Sequence, residues 1–310
     1  MTAGATTYTI GGALTLSRLG LGTMSLPGPG VWGYPRDPKG ARRLLRRARE
    51  LGIDFFDSAD SYGPEVSEEL LREALYPYRN VVVATKGGLT RQGPGRWSRN
   101  CRPEYLRSAC EGSLRRLRVD RIDLYQLHTV DPAVPIEESV GALVELQAEG
   151  KIRDIGVCNV SVAELQRALQ VATVASVQNR YSIADRTSEP VLELCERAGL
   201  TFIPWAPLAK GALTRLGGRL RRVARRIEAS PAQVALAWLL HRSPVTLPIP
   251  GTASIDHLEE NVGALEIELA SEDVEWIGGQ VLFGYTAHRI VRRTRAKSAT
   301  LARIVRRGSP

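Results

Sequence analysis

Short apolar runs alternate with amphipathic stretches from near residue 18 to near residue 280, and this alternation limits the possible folds most severely. The apolar runs read as strands at Leu19–Gly22, Ile53–Ser58, Val81–Thr85, Ile122–Leu127, Asp154–Val157, Ser176–Asn179, Phe202–Trp205 and Thr246–Ile249. They are rich in Val, Ile and Phe and mostly apolar at consecutive positions, as suits strands covered on both faces in a parallel sheet. Between them lie helical segments. Pro38–Leu51 spaces apolar residues three and four apart and stops at Gly52, and Pro103–Leu117 opens on proline. Ser161–Leu169 starts on a serine with Glu164 three residues on, Ser188–Ala198 stops at Gly199, and Ser230–His241 opens as another capping box. Ile255–Val262 and Ser271–Ile277 complete the series. Eight strands, each followed by a helix, predict an α/β chain folded as a (β/α)8 barrel. A doubly wound sheet is the competing architecture, but Gly20-Leu21-Gly22-Thr23-Met24-Ser25 lacks the third glycine of a dinucleotide turn. Ahead of the first barrel strand, Thr6–Leu16 carries two β-prone halves around Gly11-Gly12, a hairpin expected to cap one end of the barrel.

The 310 residues fit two domains or one large barrel. With 43% hydrophobic and 24% charged residues, the composition is globular. No apolar run approaches the roughly 18 residues needed to cross a bilayer, so no membrane role is expected. The N-terminus has neither the basic nor the apolar segment of a secretory signal. Cys101, Cys110, Cys158 and Cys195 form no CxxC pair and no metal-ligand spacing, which predicts a reduced, cytoplasmic setting and no metal site. The net charge of +9 invites a nucleic-acid reading. Yet Arg289, Arg292, Arg293, Arg295, Lys297, Arg303, Arg306 and Arg307 crowd into 285–310 without an acidic residue, leaving only +1 on residues 1–284. The chain therefore divides into a 1–284 barrel domain and a basic 285–310 tail. The tail's expected state is a solvated terminus, with nucleic-acid binding confined to it as the minor alternative.

In a barrel, polar residues at the C-terminal ends of strands line the active site. Asp57, Lys86 and His128 leave three neighbouring strands at the same rim, and Tyr62 follows Asp57 by one short loop. A lysine beside a tyrosine favours the phenolate and lowers its pKa, and a carboxylate keeps that lysine charged. A histidine across the pocket can hydrogen-bond a carbonyl oxygen. Such a set polarises C=O and protonates the oxygen when hydride reaches the carbon. No side chain donates hydride, so a nicotinamide cofactor is implied.

LGIDFFDSADSYG (51–63), VVVATKGG (81–88), RIDLYQLH (121–128), IRDIGVCN (152–159), VQNRYS (177–182) and IPGTASIDHLEENVGA (249–264) stand in the order of the aldo-keto reductase motifs, and from about residue 15 to 280 the chain resembles that family. The resemblance implies a barrel that interconverts carbonyls and alcohols with NADP(H), its catalytic tetrad on Asp57, Tyr62, Lys86 and His128, and tyrosine as general acid. It places Asn159 and Gln178 at the nicotinamide carboxamide, with Cys158 where the family usually has serine, and Trp205 against the nicotinamide ring. Leu208, Lys210, Gly211 and Leu213 match the loop over the pyrophosphate. Thr252 and Ser254 precede a helix N-terminus suited to phosphate, with His257 and Asn261 toward the adenosine. Gly251 and His257 stand where some relatives carry Lys and Arg for the 2′-phosphate, so NADPH is expected and NADH stays open.

Substrate contacts are expected from the loops 25–37 and 89–100, through Trp32 and Trp97. The PGPGVWG stretch is most similar to the bacterial pyridoxal-reductase-like branch, which makes pyridoxal-like aromatic aldehydes candidate substrates. Residues 207–230 are short for the family, which implies looser cofactor enclosure. The alternative function is a non-catalytic NADP(H)-binding, redox-sensing barrel, and the oligomeric state stays open.

Overall fold

The computed structural model describes residues 7–12, 14–211, 213 and 218–279, so the basic 285–310 segment lies outside the described residues. Seven parallel strands, β3 (Leu21–Gly22), β4 (Phe55–Asp57), β5 (Val82–Gly87), β8 (Ile122–Leu127), β9 (Ile152–Cys158), β10 (Val174–Arg180) and β11 (Thr201–Trp205), stand side by side in that order. The eighth predicted strand, Thr246–Ile249, makes only a single bridge, to Phe202. It still closes the ring: Phe202 N–H donates to the Val245 carbonyl, Leu247 N–H to the Phe202 carbonyl, and Gly20 N–H to the Pro248 carbonyl, each at 2.9 Å. Pro248 and Pro250 have no N–H to give, which is why this stave falls short of a full strand.

Helices wrap the outside where the 3.6-residue pattern places them. α1 (Pro38–Glu50), α3 (Pro103–Leu117), α5 (Val162–Val171) and α6 (Glu189–Ala198) fall within two residues of the sequence reading. Both capping boxes form, Ser161 with Glu164 and Ser230 with Gln233, the latter opening the helix Pro231–Arg242. Three helices were not read from the sequence: α2 (Val66–Leu75), α4 (Ile136–Ala148) and Arg219–Arg226. None of them has a side-chain cap at its N-terminus, so the usual start signal is missing. Residues 89–100 also depart from the expected loop. They form a hairpin of β6 (Leu89–Gly93) and β7 (Arg96–Arg99) with a turn at Pro94-Gly95.

The N-terminal hairpin pairs β1 (Thr7–Ile10) with β2 (Leu14–Ser17). Its Ile10, Leu14 and Leu16 pack with Phe55, Val82, Ala84, Leu124, Ile203, Leu247 and Ile249 inside the barrel. That apolar plug fills the end where the strands begin. Successive inward positions lie two residues apart, so each strand turns polar as it climbs. Val82 and Ala84 give way to Lys86, and Leu124 to Gln126 and then His128. Gly156 leaves room for this polar layer, since a Cβ there would sit 2.5 Å from Ser176 Oγ and 2.8 Å from Gln126 Cγ.

The loop after β4, which bears Tyr62, is anchored from behind by a buried acidic pair. Glu68 on α2 accepts from Arg116 Nε at 2.6 Å and from Thr85 Oγ1. Asp60 accepts from Tyr105 at 3.3 Å, while its other oxygen is buried without a partner among the described residues. Burial first, and then the nearby Glu68, push the Asp60 carboxyl up to about 7 from 3.8.

At the barrel seam a Cβ on Gly22 would lie 2.9 Å from the Ile249 carbonyl oxygen, backbone that cannot step aside. Gly22→Ala should cost about 1–3 kcal/mol, read as a lower urea midpoint with an unchanged slope. Asp60 has a folded-state pKa above its unfolded value, so its favourable contribution is complete below about pH 4 and is lost as pH rises to about 7. The melting temperature of Asp60→Asn should therefore gain on the wild type between about pH 5 and pH 8.

Candidate active site

Three adjacent strands deliver the polar groups to one point. Asp57 closes β4, Lys86 is the penultimate residue of β5, and His128 follows β8 directly. Lys86 Nζ donates to Asp57 Oδ2 and to the Ser58 carbonyl, both at 2.6 Å, with side-chain exposures of 0% for the lysine and 2% for the aspartate. The other aspartate oxygen, Oδ1, accepts from Gln178 Nε2 at 2.8 Å and from Gln126 Nε2 at 3.2 Å. Gln126 Oε1 accepts from Gln178 at 3.4 Å and from the Cys158 thiol at 3.7 Å. An ion pair this deep is tolerable only when it is well hydrogen-bonded, and here two ammonium N–H groups and both carboxylate oxygens have partners.

Tyr62 lies against this pair. Lys86 Nζ is 5.1 Å from the Tyr62 ring centroid, and the His128 ring meets Tyr62 edge-on at 5.7 Å. The expectation that Lys86 would give Tyr62 a net lowered pKa is corrected. Burial raises it most, Lys86 pulls it down, and the balance is a phenol pushed up to about 12. Burial is the largest single influence on the Lys86 ammonium and pulls it down, but Asp57, with Tyr62 and Cys158, outweighs it and holds it above its usual range. Burial, then the Lys86 charge, hold His128 well below the ordinary histidine value, so its imidazole is neutral near pH 7. Ser61 Oγ lies 3.4 Å from His128 Nδ1. The site thus combines a protonated phenol, a cation behind it and a neutral imidazole beside it.

The residues assigned to a cofactor spread along the rim from this centre. Asn159 follows β9 with positive φ of 58° and donates from Nδ2 to the His128 carbonyl at 3.0 Å. Its Oδ1 accepts from the indole N–H of Trp205, the last residue of β11, at 2.9 Å. Asn159, Trp205 and His128 are therefore one connected group, and Gln178 joins it directly, its carbonyl accepting from Asn159 N–H at 2.9 Å. Leu208 is half-buried and its carbonyl accepts from Gly211 N–H at 3.0 Å. Lys210 falls in the short turn Ala209–Gly211, and Leu213 is buried. Across the barrel mouth, Thr252 Oγ1 accepts from Ser254 N–H at 3.0 Å, and Ser254 caps the helix Ile255–Val262 by accepting from His257 N–H. His257 is exposed and Asn261 buried. Ser254 is thus the N-cap of this helix, and Thr252 holds the N–H of that cap residue. The first-turn N–H groups of that helix have no carbonyl four residues back, and the turn presents donors to an anion.

Trp97 meets the Tyr62 ring edge-on at 6.4 Å, so it stands at the mouth of the site. Trp32, in the loop after β3, bridges to Gly63, one residue beyond Tyr62. Two polar groups here went unread in the sequence. Gln126 sits two residues before His128, on the same inward face, and strand alternation was the signal for it. Arg91 on β6 stacks its guanidinium 3.7 Å from the Trp97 ring centroid, and nothing in a stretch read as loop marked it.

The model of the aldo/keto reductase family matches residues 18–279. The chain is 49% identical over 261 residues to an uncharacterised oxidoreductase of Schizosaccharomyces pombe, covering 84% of this chain and 85% of the relative. It is 39% identical over 281 residues to pyridoxine 4-dehydrogenase of Escherichia coli, covering 88% of this chain and 97% of that one. Its fold is similar to that of an aldo/keto reductase from Klebsiella pneumoniae solved in complex with NADP and acetate. The TM-score is 0.74 at 29% identity, covering 88% of this chain and 94% of that one. With the motif-bearing strands, the closed barrel and the family match all spanning the same residues, the chain belongs to the aldo/keto reductase family of oxidoreductases.

Proposed function

We propose that this protein is an NADPH-dependent reductase of aldehydes and ketones, with planar aromatic aldehydes of the pyridoxal type as its first candidate substrates. The observation that carries this reading is the buried Lys86–Asp57 pair set behind Tyr62, with the His128 ring at 5.7 Å. The donor set fits the cofactor. Asn159 and Gln178 offer the paired donor and acceptor that a carboxamide needs, and Trp205 offers an aromatic face. The 252–257 turn offers hydroxyls and helix N–H groups to phosphate. Similarity to pyridoxine 4-dehydrogenase, and the NADP held by the Klebsiella relative, support the same choice.

Bound NADPH supplies the hydride. The chain's own residues manage the oxygen. Neutral His128 donates a hydrogen bond to the substrate carbonyl and fixes its approach. As the carbon accepts hydride, the C=O π pair moves onto oxygen, which takes the phenolic proton of Tyr62. The phenolate left behind is stabilised by the Lys86 ammonium, held in place by Asp57 Oδ2 and the Ser58 carbonyl. The burial that raises Tyr62 also keeps its proton on until the substrate oxygen becomes basic enough to remove it.

Tyr62→Phe should reduce kcat for benzaldehyde reduction by about 10²–10⁴-fold, with NADPH affinity by fluorescence quenching within about twofold of wild type. Full retention of kcat would exclude Tyr62 as the acid. The reductive kcat should stay level from about pH 6 to about pH 9, because Tyr62 keeps its proton and His128 stays neutral across that range. An inflection near 6.5 would instead mean a titrating imidazole.

A further inference from the structure

We propose that Arg91 is a positioning residue that joins three loops into one rigid substrate mouth and sets its preference for planar carbonyl substrates. This rests on the reductase reading for the substrate, though not for the architecture. A guanidinium has five N–H donors, and each of Arg91's is matched to a backbone carbonyl. Nη1 donates to Val31 at 2.7 Å and to Ser61 at 2.9 Å. Nη2 donates to Gly30 at 2.8 Å and to Gly93 at 3.3 Å, and Nε donates to Arg96 at 3.2 Å. These acceptors belong to the loop after β3, the loop after β4 and the β6–β7 hairpin. Ser61 is the residue immediately before Tyr62. The hairpin turn adds one more tie, Gly95 N–H donating to Gly30 at 2.9 Å.

The same guanidinium orders the aromatic wall. Arg91 and Trp97 are cross-strand partners in the hairpin. The cation lies 3.7 Å from the Trp97 centroid and 5.7 Å from that of Trp32. Trp97, covered on that face, turns its ring at 84° to Tyr62. A planar ring entering the mouth meets an indole already fixed in orientation, with no side-chain entropy left to lose on binding. Arg91 is half-buried and makes no ion pair among the described residues, its charge being met by carbonyl dipoles and indole faces. With every N–H engaged, it has none to offer a substrate carboxylate. It is a brace rather than an anion receptor. Lysine cannot replace it, because three tetrahedral donors do not span five in-plane acceptors.

The test compares wild type, Arg91→Met, Arg91→Lys and Trp97→Leu, with Arg91→Met also placed in the Trp97→Leu background. Backbone amide exchange over residues 28–34 and 89–97, measured without substrate, should speed up about tenfold in Arg91→Met, with the strands β5 and β8 unchanged. With NADPH, KM for benzaldehyde should rise about tenfold while that for propanal rises by no more than about threefold. Arg91→Lys should behave like Arg91→Met, and Arg91→Met should add little once Trp97 is gone. Wild-type exchange in Arg91→Met would overturn the brace. Equal losses for benzaldehyde and propanal would overturn the link to planar substrates. A selective loss for para-carboxybenzaldehyde would make Arg91 an anion receptor and overturn both. If the wild type reduces none of these aldehydes, the reductase reading and the substrate preference fail together, and amide exchange still decides the brace.

Discussion

The contact between Lys86 and Asp57 is the interaction on which the rest of the interior depends. A lysine and an aspartate removed from water inside a barrel are unstable unless each valence is met. Severing such a pair typically costs about 3–5 kcal/mol because the survivor is left charged and alone. Here the ammonium has a carboxylate and a carbonyl, and the carboxylate has two glutamine amides besides. Those requirements propagate outward. Gln126 must be oriented to reach Asp57, Gly156 must lack a side chain to leave Gln126 space, and Cys158 supplies a weak donor to the amide oxygen.

That polar layer can exist because the layer beneath it is apolar. Ile10, Leu14 and Leu16 of the hairpin seal the lower end against Val82, Ala84, Leu124 and Leu247. The seal removes water from below the ion pair, and the low dielectric makes each remaining interaction stronger. Burial is also the largest influence on both Tyr62 and His128, and it acts in opposite directions on their pKa values because one gains charge on losing a proton and the other on taking one. One environment therefore yields a phenol that keeps its proton and an imidazole that refuses one.

The barrel was legible in the sequence because its strands are buried on both faces and several of its helices begin with a side-chain cap or a first-turn proline. Ile122–Leu127 has the same bounds in both readings, and Ser161 and Ser230 start helices as their residue types require. What could not be read has local causes. α2 and α4 begin without a side-chain cap, and the eighth stave is interrupted by prolines. That Asp57, Lys86 and His128 leave neighbouring strand ends, with Tyr62 one loop on, was legible, and their proximity followed from the barrel. The direction in which Tyr62 is shifted was not, since the lysine is named in the sequence while the depth of burial is a property of the whole fold.

The mouth of the site has a different logic from its floor. On the floor, strand alternation fixes which residues meet, so a period of two in the sequence is enough to find them. At the mouth, groups 30 to 61 positions apart are joined through backbone carbonyls, and a carbonyl has no residue type. A sequence pattern can specify Arg91 only by its partner across the hairpin, Trp97, and only once the hairpin is known. The polar floor of this fold is accordingly written in side chains on strands. The shape of its mouth is written in loops whose mutual contacts leave little trace in composition or spacing.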